Sequence, residues 1–382
     1  MKALILGAAG EMCTPATTDL IRRKILSDVT LADINLDKTL KLARELGVPE
    51  KRVKLLDARD TGKLRDLMKG HGMAINGLPK PFALEVLKAC LESRVSSCDL
   101  GSPDDRMIAL NREARELGVA YVAGMGASPG VSNLMAKHGA DTMEEVEEIH
   151  VSFAAVRPFA LSPALLDIIL WEFEPGLPGR TYYKDGEFHP VPPFSGEREI
   201  NFPYPIGPRK VFIVPHGETR SLPRNLKAKR VYVRGTFTPK GMRLVRSLLD
   251  YGFYDTTPIK IRGLKISPKE LIMQALRQMP ESSIKEDLFS FGLHVEVVGR
   301  RGSGNVRRTY WTTHPPMAEW GVPYTYSNNI SFPLAICAQM IAEGKARKGV
   351  ETPEAMLDPA AFFAELSKRD IHVHYREETW QP

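Results

Sequence analysis

In the first third of the chain the apolar positions fall in short runs. KALILG, VTLADI, VKLLDA, MAINGL, SSCDLG and AYVAGMG recur, separated by stretches such as LDKTLKLARELG and PFALEVLKACLESR. In the second of these stretches Phe82, Val86, Leu87 and Cys90 lie at helical spacing. Such alternation predicts a parallel sheet with helices on both faces. GMGASPGVSNLMAKHGAD is turn-rich and then helical, with Ser132 or Asn133 placed to cap after the Pro129-Gly130 turn. Beyond it, EEIHVSFAAV, RKVFIVP, KRVYVRGTF and HVEVVGRR alternate, with helical stretches at Pro163–Glu172, Gly241–Tyr251 and Ser267–Gln278. This predicts a mixed α+β domain with an open, mostly antiparallel sheet. SNNISFPLAICAQMIAEGKARKG then carries a helix with Ser331 as cap, Pro333 in its first turn, a stripe of Leu334, Ala338 and Ile341, and a stop at Gly344. Another helix and a short strand end the chain.

The fold class expected is therefore α/β: a Rossmann-type domain over residues 1–126, a substrate and dimerisation domain over 127–326, and a segment 327–382 that returns to the first domain. A chain of 382 residues is long for one core, which agrees with this division.

Composition narrows the class. Hydrophobic residues make up 43% and charged residues 26%, a globular balance. There is no apolar run of membrane-spanning length and no pattern of a signal peptide. Cys13, Cys90, Cys98 and Cys337 lack CxxC spacing, which argues against zinc and disulfides and for a reducing cytoplasm. No carboxylate–histidine cluster has metal-ligand spacing, so no metal is expected. The net charge of +6 is mild. Clusters such as Lys227, Lys229, Arg230 and Arg234 lack the aromatic interleaving of a nucleic-acid surface. A pocket for an acidic small molecule, or a solvated face, accounts for them better.

The strand ends carry the candidate cofactor site. LILGAAGEMCTP turns sharply after the first strand, and backbone N–H groups at a helix start favour a pyrophosphate. Against G-x-G-x-x-G, Gly7 matches while Ala9 and Met12 replace the later glycines. Against G-x-x-G-x-x-G, Gly7 and Gly10 match and Cys13 replaces the third, the one that serves close helix–strand packing. By itself this is either a cofactor loop or a structural turn. Asp33, ending the second strand and followed by Ile34 and Asn35 without arginine, favours the cofactor and prefers NAD to NADP. Asp57 and Ala58 end the third strand, beside the expected adenine. Asn76, Gly77, Leu78 and Pro79 follow the fourth, along the nicotinamide half. Asp99 after the fifth is either a rim carboxylate or a helix cap.

In the middle domain PHGETRSLP sets His216, Glu218 and Arg220 close together, read either as a base with a carboxylate clamp or as a charged surface loop. Tyr324, Tyr326, Ser327, Asn328 and Asn329 precede the tail helix and either line a pocket or form a polar helix start. His314 reads as structural.

Together these stretches resemble the saccharopine dehydrogenase family, especially its short lysine 6-dehydrogenase-like members. LILGAAGEM, ADIN, NGLP, GMGASPGVSNLMA and the tail NISFPLAICAQMIAEGKARKGVETPEAML carry the likeness. It implies an NAD(P)-dependent oxidoreductase acting on a C–N bond of lysine, saccharopine or a related amino acid or polyamine. It also implies a homodimer through the middle sheet. It places Gly7, Ala8, Gly10, Glu11, Met12, Asp33, Asp57, Asn76, Gly77, Leu78 and Pro79 at cofactor positions. Where the family has Thr-Leu-Arg-Tyr-Pro-Gly this chain has Thr236-Phe237-Thr238-Pro239-Lys240-Gly241. Threonine cannot clamp a carboxylate in two places. Either Arg234 or Lys240 takes over, or the substrate differs. Two alternatives stand beside the dehydrogenase: a cofactor-binding protein without activity, and a reductase that condenses an aldehyde with an amine to a carboxy-polyamine or saccharopine.

Overall fold

The computed structural model describes residues 1–26, 28–157, 163–278, 290–320 and 327–381. The first six apolar runs form strands β1 (Lys2–Leu6), β2 (Asp28–Asp33), β3 (Val53–Leu55), β4 (Met73–Asn76), β5 (Ser96–Asp99) and β6 (Ala120–Ala123). The middle of the chain gives β7 (Glu145–Val156), β8 (Thr181–Lys184), β9 (Glu187–Pro190), β10 (Arg198–Asn201), β11 (Pro208–Ile213), β12 (Arg230–Thr236), β13 (Ile259–Ile261), β14 (Leu264–Ile266), β15 (Ser290–Arg301) and β16 (Gly304–Thr313). The tail adds β17 (Gly349–Glu351) and β18 (His372–Trp380).

The first sheet has the order β17-β6-β5-β4-β1-β2-β3, with every pair parallel. Apart from the edge strand β3, its strands are buried on both faces, which is why they read as apolar runs without alternation. Strand order reverses between β1 and β4, and a parallel sheet binds its ligand outside the carboxyl ends at such a switch. β17 was not expected as a strand; its three residues pair with β6. The helix Thr61–Met68 was likewise unmarked in the sequence.

The second sheet has the order β10-β11-β12-β7-β15-β16-β18, with β8 on β12 and β9 on β8. Only β12–β7 is parallel among the pairs with a described register; β10–β11, β11–β12, β12–β8, β7–β15, β15–β16 and β8–β9 are antiparallel. The open, mostly antiparallel sheet is thus as expected. One face carries Ile149, Val151, Val231, Val233, Val295 and Val297, all fully buried. The other carries His150, Tyr232, Arg234, His294, Glu296 and Trp311.

The chain forms two compact units. The first comprises Met1–Thr142, Arg224–Leu226 and Ser327–Val373, and the second the remainder. The first therefore runs on past residue 126. The helix Val131–Ala140 belongs to it because Asn133, in that helix, bonds Glu354 of the tail (2.9 Å). The tail does not return as one piece either. Its helices and β17 join the first unit, while β18 lies beside β16 in the second sheet, where Glu377 takes Arg301 and Arg308. The tail helix spans Asn328–Ala342 with Ser327 as its cap residue. Ser331 is thus an interior residue, and Pro333 lies beyond the first turn. A proline this near the start removes one ladder bond, to the carbonyl of Asn329, and the helix survives.

Candidate active site

The glycine turn is built to leave backbone exposed. Gly7 takes φ +69°, a left-handed conformation that favours glycine. Its N–H and that of Ala8 donate to Ala32 O (2.8 and 3.2 Å), and Gly10 N–H donates back to Gly7 O (2.9 Å). A Cβ on Gly7 would lie 3.0 Å from Gly77 O, so loop and β4 end touch through backbone. The helix Cys13–Arg22 starts with no side-chain cap. Glu11 and Met12 present their N–H groups without a partner among the described residues. Uncapped donors at a helix start suit a pyrophosphate.

Cys13 answers for the missing third glycine. It is buried, its Sγ lies 3.8 Å from Leu6 O, and a Cβ on Gly77 would collide with that sulfur. The close packing a glycine usually allows at this position is supplied from the opposite side, by Gly77. Burial pushes the thiol up to about 12, so it is a neutral packing group and not a nucleophile. We expect Gly77→Ala to lower the unfolding free energy by about 1–3 kcal/mol, with most of the loss recovered by adding Cys13→Ala. A denaturant double-mutant cycle checks this, and independent, additive losses would refute the pairing.

Asp33 is buried at the end of β2. Its Oδ2 accepts from Ala9 N–H (3.0 Å) and its Oδ1 from Asn35 N–H (2.8 Å). It thus braces the glycine turn directly, and Ile34 beside it is exposed. Asp57 is held by Arg59, whose Nε lies 2.9 Å from Oδ1. That hydrogen bond draws the carboxyl down to about 2. Ala58 is buried, and Pro79 is exposed. Asn76 and Asp99 work on each other: Asn76 Nδ2 donates to Asp99 Oδ2 (2.7 Å). Tyr121 O–H (2.6 Å) and Gly101 N–H (2.7 Å) also donate to Asp99, which is 2% exposed. Asp99 is therefore neither a rim carboxylate nor a cap. It joins the ends of β4, β5 and β6, while Asn76 Oδ1 accepts from Leu78 N–H (3.1 Å) and shapes the turn after β4.

In the second unit His216 stacks on Phe153 (centroids 5.0 Å apart) and sits between two buried glutamates. Its Nε2 lies 3.1 Å from Glu172 Oε1 and its Nδ1 3.8 Å from Glu218 Oε2. Burial pulls the imidazole down, but the hydrogen bond and charge of Glu172, aided by Glu218, outweigh it, so its pKa is raised. Such a group can take up a proton and pass it on. Glu172 had no signal in the sequence: it ends an apolar helix far along the chain from His216. Arg220 does not join them; it is exposed, with its guanidinium 5.7 Å from the Phe188 ring centre.

A raised histidine stabilises the fold below its ordinary value of 6.5, and that share is lost as pH rises through the folded value. We therefore expect Glu172→Gln to cost most stability in acid and little in base. NMR titration of the His216 ring should show a fall in its midpoint. An unmoved midpoint would refute the pairing.

The candidate substrate residues separate. Cross-strand pairing sets Gly235 against Phe153 and Arg234 against Ser152, so Arg234 lies on the sheet face opposite Phe153. There it donates to Gly196 O (2.8 Å) and stacks over Tyr232. Its guanidinium is drawn down to about 10, mainly by burial. Thr238 caps the helix Pro239–Asp250, its Oγ1 accepting from Gly241 N–H (3.1 Å), and Lys240 is exposed. Neither Arg234 nor Thr238 is thus available as a clamp beside His216. Asn328 is fully buried in the first unit. Tyr324 and Tyr326 lie outside the described residues. His314 accepts from Phe291 N–H (3.1 Å), a structural role.

The tail motif has a physical office in the first unit. Glu354, from the Pro-Glu pair, accepts from Asn133 Nδ2 (2.9 Å) and Asn225 Nδ2 (3.0 Å). Asn133 in turn accepts from Gly130 N–H (2.9 Å), so the tail fixes the Pro129-Gly130 turn.

Residues 3–122 match the family model described as saccharopine dehydrogenase NADP binding domain, and residues 126–371 match saccharopine dehydrogenase C-terminal domain. The chain belongs to the saccharopine dehydrogenase family. It is 24% identical to a carboxyaminopropylagmatine dehydrogenase of Synechocystis, over 98% of this chain and 97% of that one. It is also 24% identical to a carboxynorspermidine synthase of Vibrio alginolyticus, over 100% and 99%. The apo saccharopine dehydrogenase (L-Glu forming) of Saccharomyces cerevisiae shares the fold, with a TM-score of 0.70 at 15% identity over 99% of this chain and 100% of that one. This member of the family is thus a nicotinamide-dependent oxidoreductase acting at a carbon bearing nitrogen. No helix among the described residues is long and apolar enough to cross a membrane.

Proposed function

We propose that the protein transfers hydride between NAD and the nitrogen-bearing carbon of a carboxyl-bearing polyamine. The observation that carries this is the match, along nearly the whole of each chain, to two relatives named for carboxy-polyamines. Absence of an arginine at position 238 fits a substrate unlike saccharopine. The nicotinamide, when bound, takes or gives the hydride. The chain's own residues do the rest. The turn from Gly7 to Met12 holds the pyrophosphate, and Asp33 fixes that turn. A carboxylate there, with Ile34 and Asn35 beside it and Arg59 engaged by Asp57, favours NAD over NADP. His216, its pKa raised by Glu172, supplies or receives the proton that accompanies imine formation and reduction.

The partly exposed stack of Tyr232, Tyr182, His150 and His189 on the second unit's sheet supports a homodimer across this sheet. The four cysteines, all buried and free, favour a reducing compartment.

The test offers NAD+ or NADP+ with carboxynorspermidine, carboxyaminopropylagmatine, saccharopine or lysine and follows the absorbance of reduced cofactor. Turnover on either carboxy-polyamine, faster with NAD+, is expected. Turnover on saccharopine or lysine alone would overturn the substrate class. Cofactor binding without turnover on any of them would favour the non-catalytic alternative.

A further inference from the structure

Asn328 is a polar group that none of the described residues satisfies. It is fully buried, yet among the described residues neither its Oδ1 nor its Nδ2 has a hydrogen-bond partner; Asn329, 3% exposed, has an Nδ2 without one there as well. Buried amides are nearly always satisfied, so an orphan of this kind marks a missing ligand or a strained site. Its location chooses between these. The first turn of its helix lies on the glycine loop: Ser327 Oγ is 3.4 Å from Glu11 Oε1, and Ser331 Oγ donates to Met12 O (2.7 Å). Asn328 precedes Ser331 by three residues and so lies beside it on the helix surface.

The chemistry of the orphan atoms narrows the ligand. A phosphate or carboxylate only accepts hydrogen bonds, and an ammonium only donates them. Asn328 leaves both a donor and an acceptor unmet, so its partner brings both. A carboxamide does this in one plane, pairing with an asparagine amide through two antiparallel hydrogen bonds. We infer that Asn328 reads the carboxamide of the nicotinamide ring, which moves this residue from the substrate to the cofactor. The inference rests on the reading that the Gly7–Met12 turn holds a dinucleotide.

The test uses the full chain and the variant Asn328→Leu, similar in volume but without polar atoms. Fluorescence titration measures NADH affinity, and competition measures ADP-ribose, which keeps the pyrophosphate and lacks the nicotinamide. NADH affinity should fall about tenfold, as expected for two lost hydrogen bonds, with ADP-ribose affinity unchanged. The wild type should bind the reduced 3-acetylpyridine analogue, whose ketone accepts but cannot donate, more weakly than NADH. Asn328→Leu should lose that discrimination. Because the amide is unsatisfied without ligand, the free variant should melt no lower than the wild type. Equal losses for NADH and ADP-ribose, with a lower melting temperature, would make Asn328 a structural residue and overturn the inference. Unchanged NADH affinity with a raised KM for the amine would assign it to the substrate and overturn it as well. Failure of the wild type to bind ADP-ribose would overturn the dinucleotide reading beneath it.

Discussion

Gly7→Val should lower the affinity for reduced dinucleotide at least tenfold while leaving the protein folded. Gly7 sits at φ +69°, where a β-branched residue is a steric outlier. A non-glycine residue held there costs about 1–3 kcal/mol. The new Cβ would also press on Gly77 O at 3.0 Å. The turn can escape only by rotating the peptides that connect Gly7 to Ala32 and Gly10. Those peptides hold the turn that positions the Glu11 and Met12 N–H groups a pyrophosphate needs, so the strain is relieved at the expense of binding. Each factor of ten in affinity corresponds to about 1.4 kcal/mol, so the strain alone is large enough for the effect. Gly47→Ala is the control. Gly47 has the same φ of +69° at the end of the helix Leu36–Leu46, with open space around its missing Cβ. It should lower stability slightly and leave affinity alone. Titration with NADH and circular dichroism on both variants decide the matter. A Gly7→Val protein that binds like the wild type would remove the loop from the cofactor site.

What could be read from the sequence, and what could not, divides by the range of the interactions. The parallel sheet was legible because each buried strand is a local apolar run. The glycine turn was legible because its backbone demand is local too. Spacing and its place at a strand end single out Asp33 as a cofactor candidate, and the structure adds that it ties down Ala9. Glu172 was missed because only tertiary packing brings it to His216. Arg234 was misplaced for a different reason. In KRVYVRGTF, period-two alternation already sets Val231 and Val233 on one face and Arg234 on the other. Grouping charges by type overlooked that alternation. Asp99 shows the opposite limit. Its position at a strand end was read correctly, but its burial beneath Tyr121 and Asn76 depends on two neighbouring strands. The return of β18 to the second sheet is likewise a matter of pairing, with nothing in its own residues to announce it.

Arg369→Met should be the most destabilising of these changes, by about 3–5 kcal/mol. Arg369 is 1% exposed and joins three helices of the first unit. Its Nε and Nη2 reach Asp19 Oδ2 (2.9 and 2.8 Å), Nη2 also donates to Gln339 Oε1 (3.1 Å), and Nη1 donates to Glu365 O (3.2 Å). Asp19 belongs to the helix that begins at the glycine loop, so this cation anchors the cofactor helix to the tail. Methionine fills the space but abandons a buried carboxylate, leaving Asp19, among the described residues, only its side-chain bond from the half-exposed Arg23 (2.7 Å). The loss should therefore come from the stranded charge and not from lost packing. Adding Asp19→Leu removes that charge and should recover a large part of it. Arg369→Lys should recover less, since an ammonium on a single flexible stem cannot span three acceptors as a guanidinium fork does. Urea denaturation of the wild type, these three variants and Asp19→Leu alone measures the differences. If the double variant were as unstable as the sum of its single changes, the stranded-charge account would fail, and Arg369 would be acting through its volume.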